Sequence, residues 1–144
     1  MNGIYQTNSA EETEKIGEAL ATFLKKNEAR SRTVAFRGEM GVGKTAFTRG
    51  FGRPLGIHTV KSPTYTVVNE YRGTGGSIFH FDMYRIADED ELYAIGFEDY
   101  LRRDGFLLIE WSENVEGALP EDTVTVTIRR TDEGDGRTVE ISGL

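Results

Sequence analysis

The sequence predicts an α/β chain in which helices lie on both faces of a mixed central sheet, parallel at its centre and with antiparallel hairpins towards its edges. Three observations carry this. Thr33 to Arg37 is a short β-rich run that leads through a glycine-rich turn into a helical stretch, giving the order strand, loop, helix. Phe106 to Ile109 is continuously apolar, the pattern of a strand buried on both faces in the interior of a sheet. Tyr65–Tyr71 with Ile78–Tyr84, and Thr123–Arg129 with Arg137–Ile141, alternate apolar and polar residues on either side of turn-forming residues, as hairpins do.

The elements follow in order. Ser9 and Glu12 form a capping box, and Ile16, Leu20, Phe23 and Leu24 recur at helical spacing, so a first helix is expected from about Ala10 to Lys26. A second helix runs from Lys44 to Phe51 and stops at Gly52-Arg53-Pro54, because proline disfavours helical geometry in the residue before it. The first hairpin turns over Arg72 to Ser77, which holds three glycines. Asp88–Ala94 and Glu98–Leu101 read as short helices, and a terminal hairpin turning over Asp132 to Gly136 is expected to close the sheet. No repeat or low-complexity linker interrupts the chain, so residues 1–144 are expected to form one domain.

Composition narrows the function classes. Seventeen Lys and Arg against 24 Asp and Glu leave a net charge of −7. That balance disfavours a protein that coats a polyanion, which needs clustered cations, so any RNA role is expected to be indirect. The acids are concentrated between Arg85 and Asp122, which carry twelve of them against three bases. Such a block reads as a solvated face or as a docking surface for a basic partner. Cysteine is absent, which removes disulfides and thiolate chemistry and fits a cytoplasmic location. Neither a signal-peptide stretch nor a run near the ~18 apolar residues of a membrane span is found, so no membrane association is expected.

Gly38-Glu39-Met40-Gly41-Val42-Gly43-Lys44-Thr45 matches G-x-x-x-x-G-K-[ST] at every fixed position, after a strand and opening a helix. Glycines let the backbone curl around an anion, and the helix N-terminus adds its positive dipole end. Lys44 is then placed to reach the β- and γ-phosphates of ATP or ADP, and Thr45 to set a hydroxyl on Mg²⁺. The predicted architecture is accordingly that of a P-loop NTPase. Phosphoryl chemistry also needs an acid at the end of a neighbouring buried strand, and Glu110 follows Phe106–Ile109. Its longer arm leaves open whether it meets the metal directly or through water. Asp82 shares a strand face with His80, opposite Phe79, Phe81 and Met83; it either orients an attacking water or pairs with Arg85 at the surface. His80 is read as a packed or hydrogen-bonded residue. Ser62, Pro63 and Thr64 form either a switch-like loop or a local turn. Trp111 reads as core or interface rather than a ligand contact, and Arg129 and Arg130 either as a solvated strand end or as groups that neutralise phosphate or stack on the base.

Together with the P-loop, Lys61-Ser62-Pro63-Thr64-Tyr65-Thr66-Val67-Val68-Asn69-Glu70-Tyr71, His80-Phe81-Asp82-Met83-Tyr84-Arg85 and Ile109-Glu110-Trp111-Ser112-Glu113 resemble the TsaE (YjeE) family, in order from about Ile16 to Pro120. The departures are mild: Met40, Val42 and Met83 stand where Leu, Ala and Leu are usual, and none has a charged or hydroxyl role. The resemblance implies the ATPase subunit of the bacterial machinery that forms threonylcarbamoyladenosine beside the anticodon of tRNA. It implies TsaB and TsaD as partners, tRNA contacted only through their complex, and ATP hydrolysis that supports repeated cycles. It makes Lys44 the phosphate clamp, Thr45 and Glu110 the Mg²⁺ site, Asp82 a hydrolysis residue, Ser62 to Thr64 the switch-like loop and Trp111 a neighbour of the nucleotide. No arginine finger is identifiable, so weak activity is expected of the isolated chain. Two rival readings use the same residues: a small-molecule kinase, which would need an acceptor pocket, and an ATP-gated binding subunit that does not require hydrolysis.

Overall fold

In the computed structural model, residues 1–27, 32–38, 43–60, 68–82, 86, 88–131 and 134–144 are described. Along the chain these give β1 (Gly3–Thr7), α1 (Ala10–Lys26), β2 (Thr33–Gly38), α2 (Lys44–Gly52), β3 (Val68–Gly73), β4 (Gly76–Asp82), α3 (Glu89–Ala94), α4 (Phe97–Arg102), β5 (Phe106–Glu110), β6 (Val124–Arg130) and β7 (Arg137–Ser142). Short 3-10 segments follow α2 at Arg53–Leu55 and β5 at Ser112–Ala118.

The strands form one sheet in the order β1-β7-β6-β2-β5-β4-β3. β2 is parallel to both β5 and β6, and β5 is also parallel to β4. The β3/β4, β6/β7 and β1/β7 pairs are antiparallel. The parallel centre and antiparallel flanks are those expected from the sequence. Two details differ. The β3–β4 hairpin turns over Thr74-Gly75 alone, with both strands running further into the glycines than their alternation suggested. The terminal hairpin does not close the sheet: β1 pairs along the outer side of β7. Only Thr7 of β1 is buried and Ile4 is 65% exposed, so this strand has no apolar alternation to announce it and is held by its ladder.

Side chains alternate across the sheet and divide the core in two. Val34, Phe36, Leu108, Val126 and Ile128 pack with Leu20, Leu24, Phe47 and Phe51 of α1 and α2. Phe79, Phe81, Leu107 and Ile109 pack on the other face with Leu92, Phe97 and Val115. The result is a three-layer arrangement, with helices on both faces of the mixed sheet.

α1 begins where the capping box placed it: Ser9 Oγ accepts from the Glu12 N–H at 3.2 Å, and the Glu12 carboxylate accepts from the Asn8 N–H. α1 and α2 approach until their backbones nearly touch. A Cβ added to Gly17 would fall on the Phe47 carbonyl oxygen, and one added to Gly50 on the Glu14 carbonyl oxygen. The crossing is clamped by the buried Glu14 carboxylate, which meets Arg53 at 2.9 Å and Arg49 at 3.4 Å. At the opposite edge, Arg103 donates to Glu70 from 2.9 Å and stacks on the rings of Phe79 and Tyr100, tying the loop after α4 to edge strand β3. The acids of α3 and α4 mostly face outward, among them Asp90, Glu91, Glu98 and Asp99.

Two predictions follow from these contacts. Gly50→Ala forces two backbones apart and is expected to cost about 3 kcal/mol, read as a lower midpoint in chemical denaturation. The hydrogen bond from Arg103, followed by the guanidinium charge, holds the Glu70 carboxyl below its ordinary value. A lowered folded-state value gives a contribution that is present above the unfolded pKa and is lost as pH falls through the folded one. Glu70→Gln is therefore expected to lower the thermal midpoint at neutral pH and to reduce the further drop on acidification, in melts between pH 7 and 3.

Candidate functional site

The polar side chains of interest gather where the central strands end. β2 leaves the sheet at Gly38, whose φ of +119° suits glycine, and a Cβ there would collide with the Ile128 carbonyl of β6. The chain returns at Gly43, also left-handed at +113°, which caps α2 and accepts from the Phe47 N–H at 3.0 Å. Glu39, Met40, Gly41 and Val42 lie outside the described residues, as do Ser62, Pro63 and Thr64.

Lys44, the first residue of α2, is only 6% exposed. Its Nζ donates to the Gly38 carbonyl at 3.2 Å and stands 5.4 Å from the centre of the Trp111 ring. Among the described residues no carboxylate lies within ion-pair distance of it. A buried ammonium with a carbonyl and a π face for neighbours is well placed for an anion, since burial of a charge is costly until it is paired. Thr45 is half-buried in the same first turn.

On the next two strands of the sheet, Glu110 and Asp82 occupy facing register positions at the ends of β5 and β4. Both are half-buried. His80 and Leu108 are paired two residues earlier, so alternation puts His80, Asp82 and Glu110 on the face covered by α1 and α2. The nearest part of this set to the core is the imidazole. His80 Nε2 lies 2.8 Å from Glu110 Oε2, with side-chain exposures of 3% and 16%.

Trp111 places the ring over Lys44 through an unusual backbone. Its φ of 59° and ψ of 39° lie in the left-handed region, the single instance among the described non-glycine residues. A bulky residue there is strained and must be held by its surroundings. Ser112 supplies one restraint: its buried Oγ donates to the Phe36 carbonyl at 3.0 Å, pinning the segment after Trp111 to β2. Arg37 of β2 adds an ion pair to Glu116 in the same segment. Sequence reasoning assigned no contact to Ser112, Arg37 or Glu116, because these contacts join positions far apart in the chain. Arg129 and Arg130 are exposed, as a solvated strand end should be.

Beside Gly43, a cavity of about 380 Å³ is lined by Ser9, Thr13, Ala46, Asp135 and Arg137 among others. The hydroxyls of Thr7 and Thr13, 2.8 Å apart, join the end of β1 to α1 near it. No group of three His, Asp or Glu able to cage a metal occurs among the described residues. Mg²⁺ needs no such cage, since it is usually held by one or two protein oxygens together with phosphate oxygens and water. The hard oxygen donors at this end of the sheet suit that mode.

The family model described as "Threonylcarbamoyl adenosine biosynthesis protein TsaE" matches residues 7–139. This chain belongs to the TsaE family. The Haemophilus influenzae tRNA threonylcarbamoyladenosine biosynthesis protein TsaE is 44% identical over 119 residues, covering 82% of this chain and 74% of its own. The Bacillus subtilis TsaE is 35% identical over 127 residues, 88% of this chain and 77% of its own. That of Treponema pallidum is 32% identical over 130 residues, 90% and 93% of the two chains. The crystal structure of Bacillus subtilis YdiB superposes with a TM-score of 0.76 at 26% identity, covering 98% of this chain and 84% of that one. No described helix is long and apolar enough to cross a membrane.

Ser112→Ala removes the partner of a buried carbonyl and is expected to cost about 1–2 kcal/mol in an equilibrium unfolding measurement.

Proposed function

We propose that this TsaE-family chain is the ATP-hydrolysing subunit of the bacterial machinery that forms threonylcarbamoyladenosine in tRNA. The observation that carries the reading is the buried Lys44 ammonium between the end of β2, the start of α2 and the Trp111 ring, with the Asp82 and Glu110 carboxylates in register nearby on the sheet. That is an arrangement suited to a polyphosphate and a divalent cation. The family match supplies the biological process, and the P-loop sequence pattern supplies the ligand class.

In this reading the backbone from Gly38 to Gly43 and the N-terminus of α2 cradle the phosphates, and Lys44 takes β- and γ-phosphate oxygens. Thr45 and Glu110 hold Mg²⁺, which when bound neutralises charge developing on the phosphates. Asp82 accepts a hydrogen bond from the attacking water and so aims it at the γ-phosphorus. Water adds to that phosphorus as the bond to the β-phosphate oxygen breaks, giving ADP and inorganic phosphate. The cavity beside Gly43 is of a size to take the nucleoside end, small-molecule pockets being about 300–1,000 Å³. Lys44 and Glu110 keep the same assignments whether the chain acts in the cytoplasm alone or docked on TsaB and TsaD, the partners we infer for it. Docking places tRNA within reach of the assembly without requiring this acidic chain to bind RNA directly.

The test is phosphate release from Mg·ATP by the full chain, alone and with TsaB, TsaD and tRNA. Low activity that rises at least tenfold with the partners is expected, and Lys44→Ala should abolish it. Glu110→Ala should still bind ATP and partners while supporting a single round of tRNA modification. Unimpaired multiple rounds in that variant would favour a nucleotide gate over hydrolysis, and incorporation of phosphate into an acceptor would favour a kinase.

A further inference from the structure

His80 is the buried group that the proposed chemistry leaves unused. It lies in β4, 2% exposed, between Phe79 and Phe81, whose side chains enter the opposite core. Among the described residues neither ring nitrogen makes a hydrogen bond. Nε2 comes within 2.8 Å of Glu110 Oε2, but its N–H is not aligned on that oxygen. Two unsatisfied nitrogens in a core are costly, and an apolar side chain of similar size would avoid that cost. A residue retained only for packing has no use for them. The register explains what the imidazole can reach: Leu108 is its direct neighbour on β5, and Glu110 lies one step further along the same face, towards the strand end. Asp82 occupies the corresponding place on β4 itself.

We propose that His80 is a positioning residue for Glu110: it donates from Nε2 to Oε2, fixes the carboxylate rotamer, and leaves Oε1 directed to the divalent cation. The 2.8 Å separation is already that of a hydrogen bond, so the pairing calls for reorientation of the two groups and no approach. Outer contacts of this type orient metal-binding carboxylates, and their loss typically weakens metal affinity by about 10–100-fold. The inference rests on the reading of Glu110 as a metal ligand, and the experiment separates the two.

Mn²⁺ is titrated into the full chain with ADP present, free Mn²⁺ is followed by its EPR signal, and ADP affinity is measured separately in EDTA. His80→Leu is expected to raise the Mn²⁺ dissociation constant about tenfold or more, to leave metal-free ADP affinity within about twofold, and to leave the thermal midpoint unchanged or higher. His80→Gln, whose amide nitrogen reaches near the Nε2 position, should recover most of the affinity. Glu110→Gln should weaken Mn²⁺ at least as much as His80→Leu. The proposal is overturned if His80→Leu binds Mn²⁺ like the unmodified chain while Glu110→Gln does not. It is also overturned if both His80 variants lose stability and metal-free ADP binding together, the signature of a structural role. If Glu110→Gln leaves Mn²⁺ binding unchanged, or if the unmodified chain takes up no Mn²⁺ beyond the share bound by ADP alone, the metal-ligand reading of Glu110 falls, and this inference with it.

Discussion

The burial of β2 is the constraint on which the rest of the molecule depends. Its first four residues are buried, both of its edges are paired to parallel neighbours, and both faces are covered. Such a strand has no lateral outlet for polar chemistry. Function can emerge only at its carboxyl end, where Gly38 turns the chain out of the sheet and α2 carries it back. Parallel pairing then brings the ends of β4 and β5 to the same side of the sheet. The juxtaposition of one ammonium with two carboxylates thus follows from strand direction before any side-chain contact is considered.

Precision at that end is supplied by contacts remote from it in sequence. The glycine-lined crossing of α1 and α2, locked by Glu14 against Arg49 and Arg53, fixes the axis of the helix that begins with Lys44. On the far side of β2, the Ser112 hydroxyl and the Arg37–Glu116 pair hold the segment that carries Trp111 in its left-handed turn. Lys44 is therefore set between two independently braced pieces. The backbone strain at Trp111 is borne by this bracing, as a bulky residue in the left-handed region requires.

Much of this was legible in the sequence because the signals are local. The capping box placed the start of α1, apolar continuity marked β5 as interior, and the strand, loop, helix order put Lys44 at the start of α2. What escaped depends on tertiary context. No residue type announces a left-handed Trp, and the ring's position over Lys44 follows from that backbone. His80 reads from the sequence as a packed or hydrogen-bonded residue; only the parallel register with β5 reveals that its Nε2 meets a carboxylate. The Ser112 bond to Phe36 spans 76 positions and leaves no trace in either neighbourhood.

The outermost strand carries a consequence for how the chain is made. Among the described residues β1 pairs only with β7, at least 130 residues later, so during synthesis Gly3–Thr7 emerges long before its partner exists. Throughout that interval it must resist pairing with any other strand, including those of neighbouring nascent chains. A strongly alternating apolar strand would be a hazard in that position. The five residues here, Gly-Ile-Tyr-Gln-Thr, bury little and attract little. The weakness that conceals β1 from sequence reasoning is what allows it to wait.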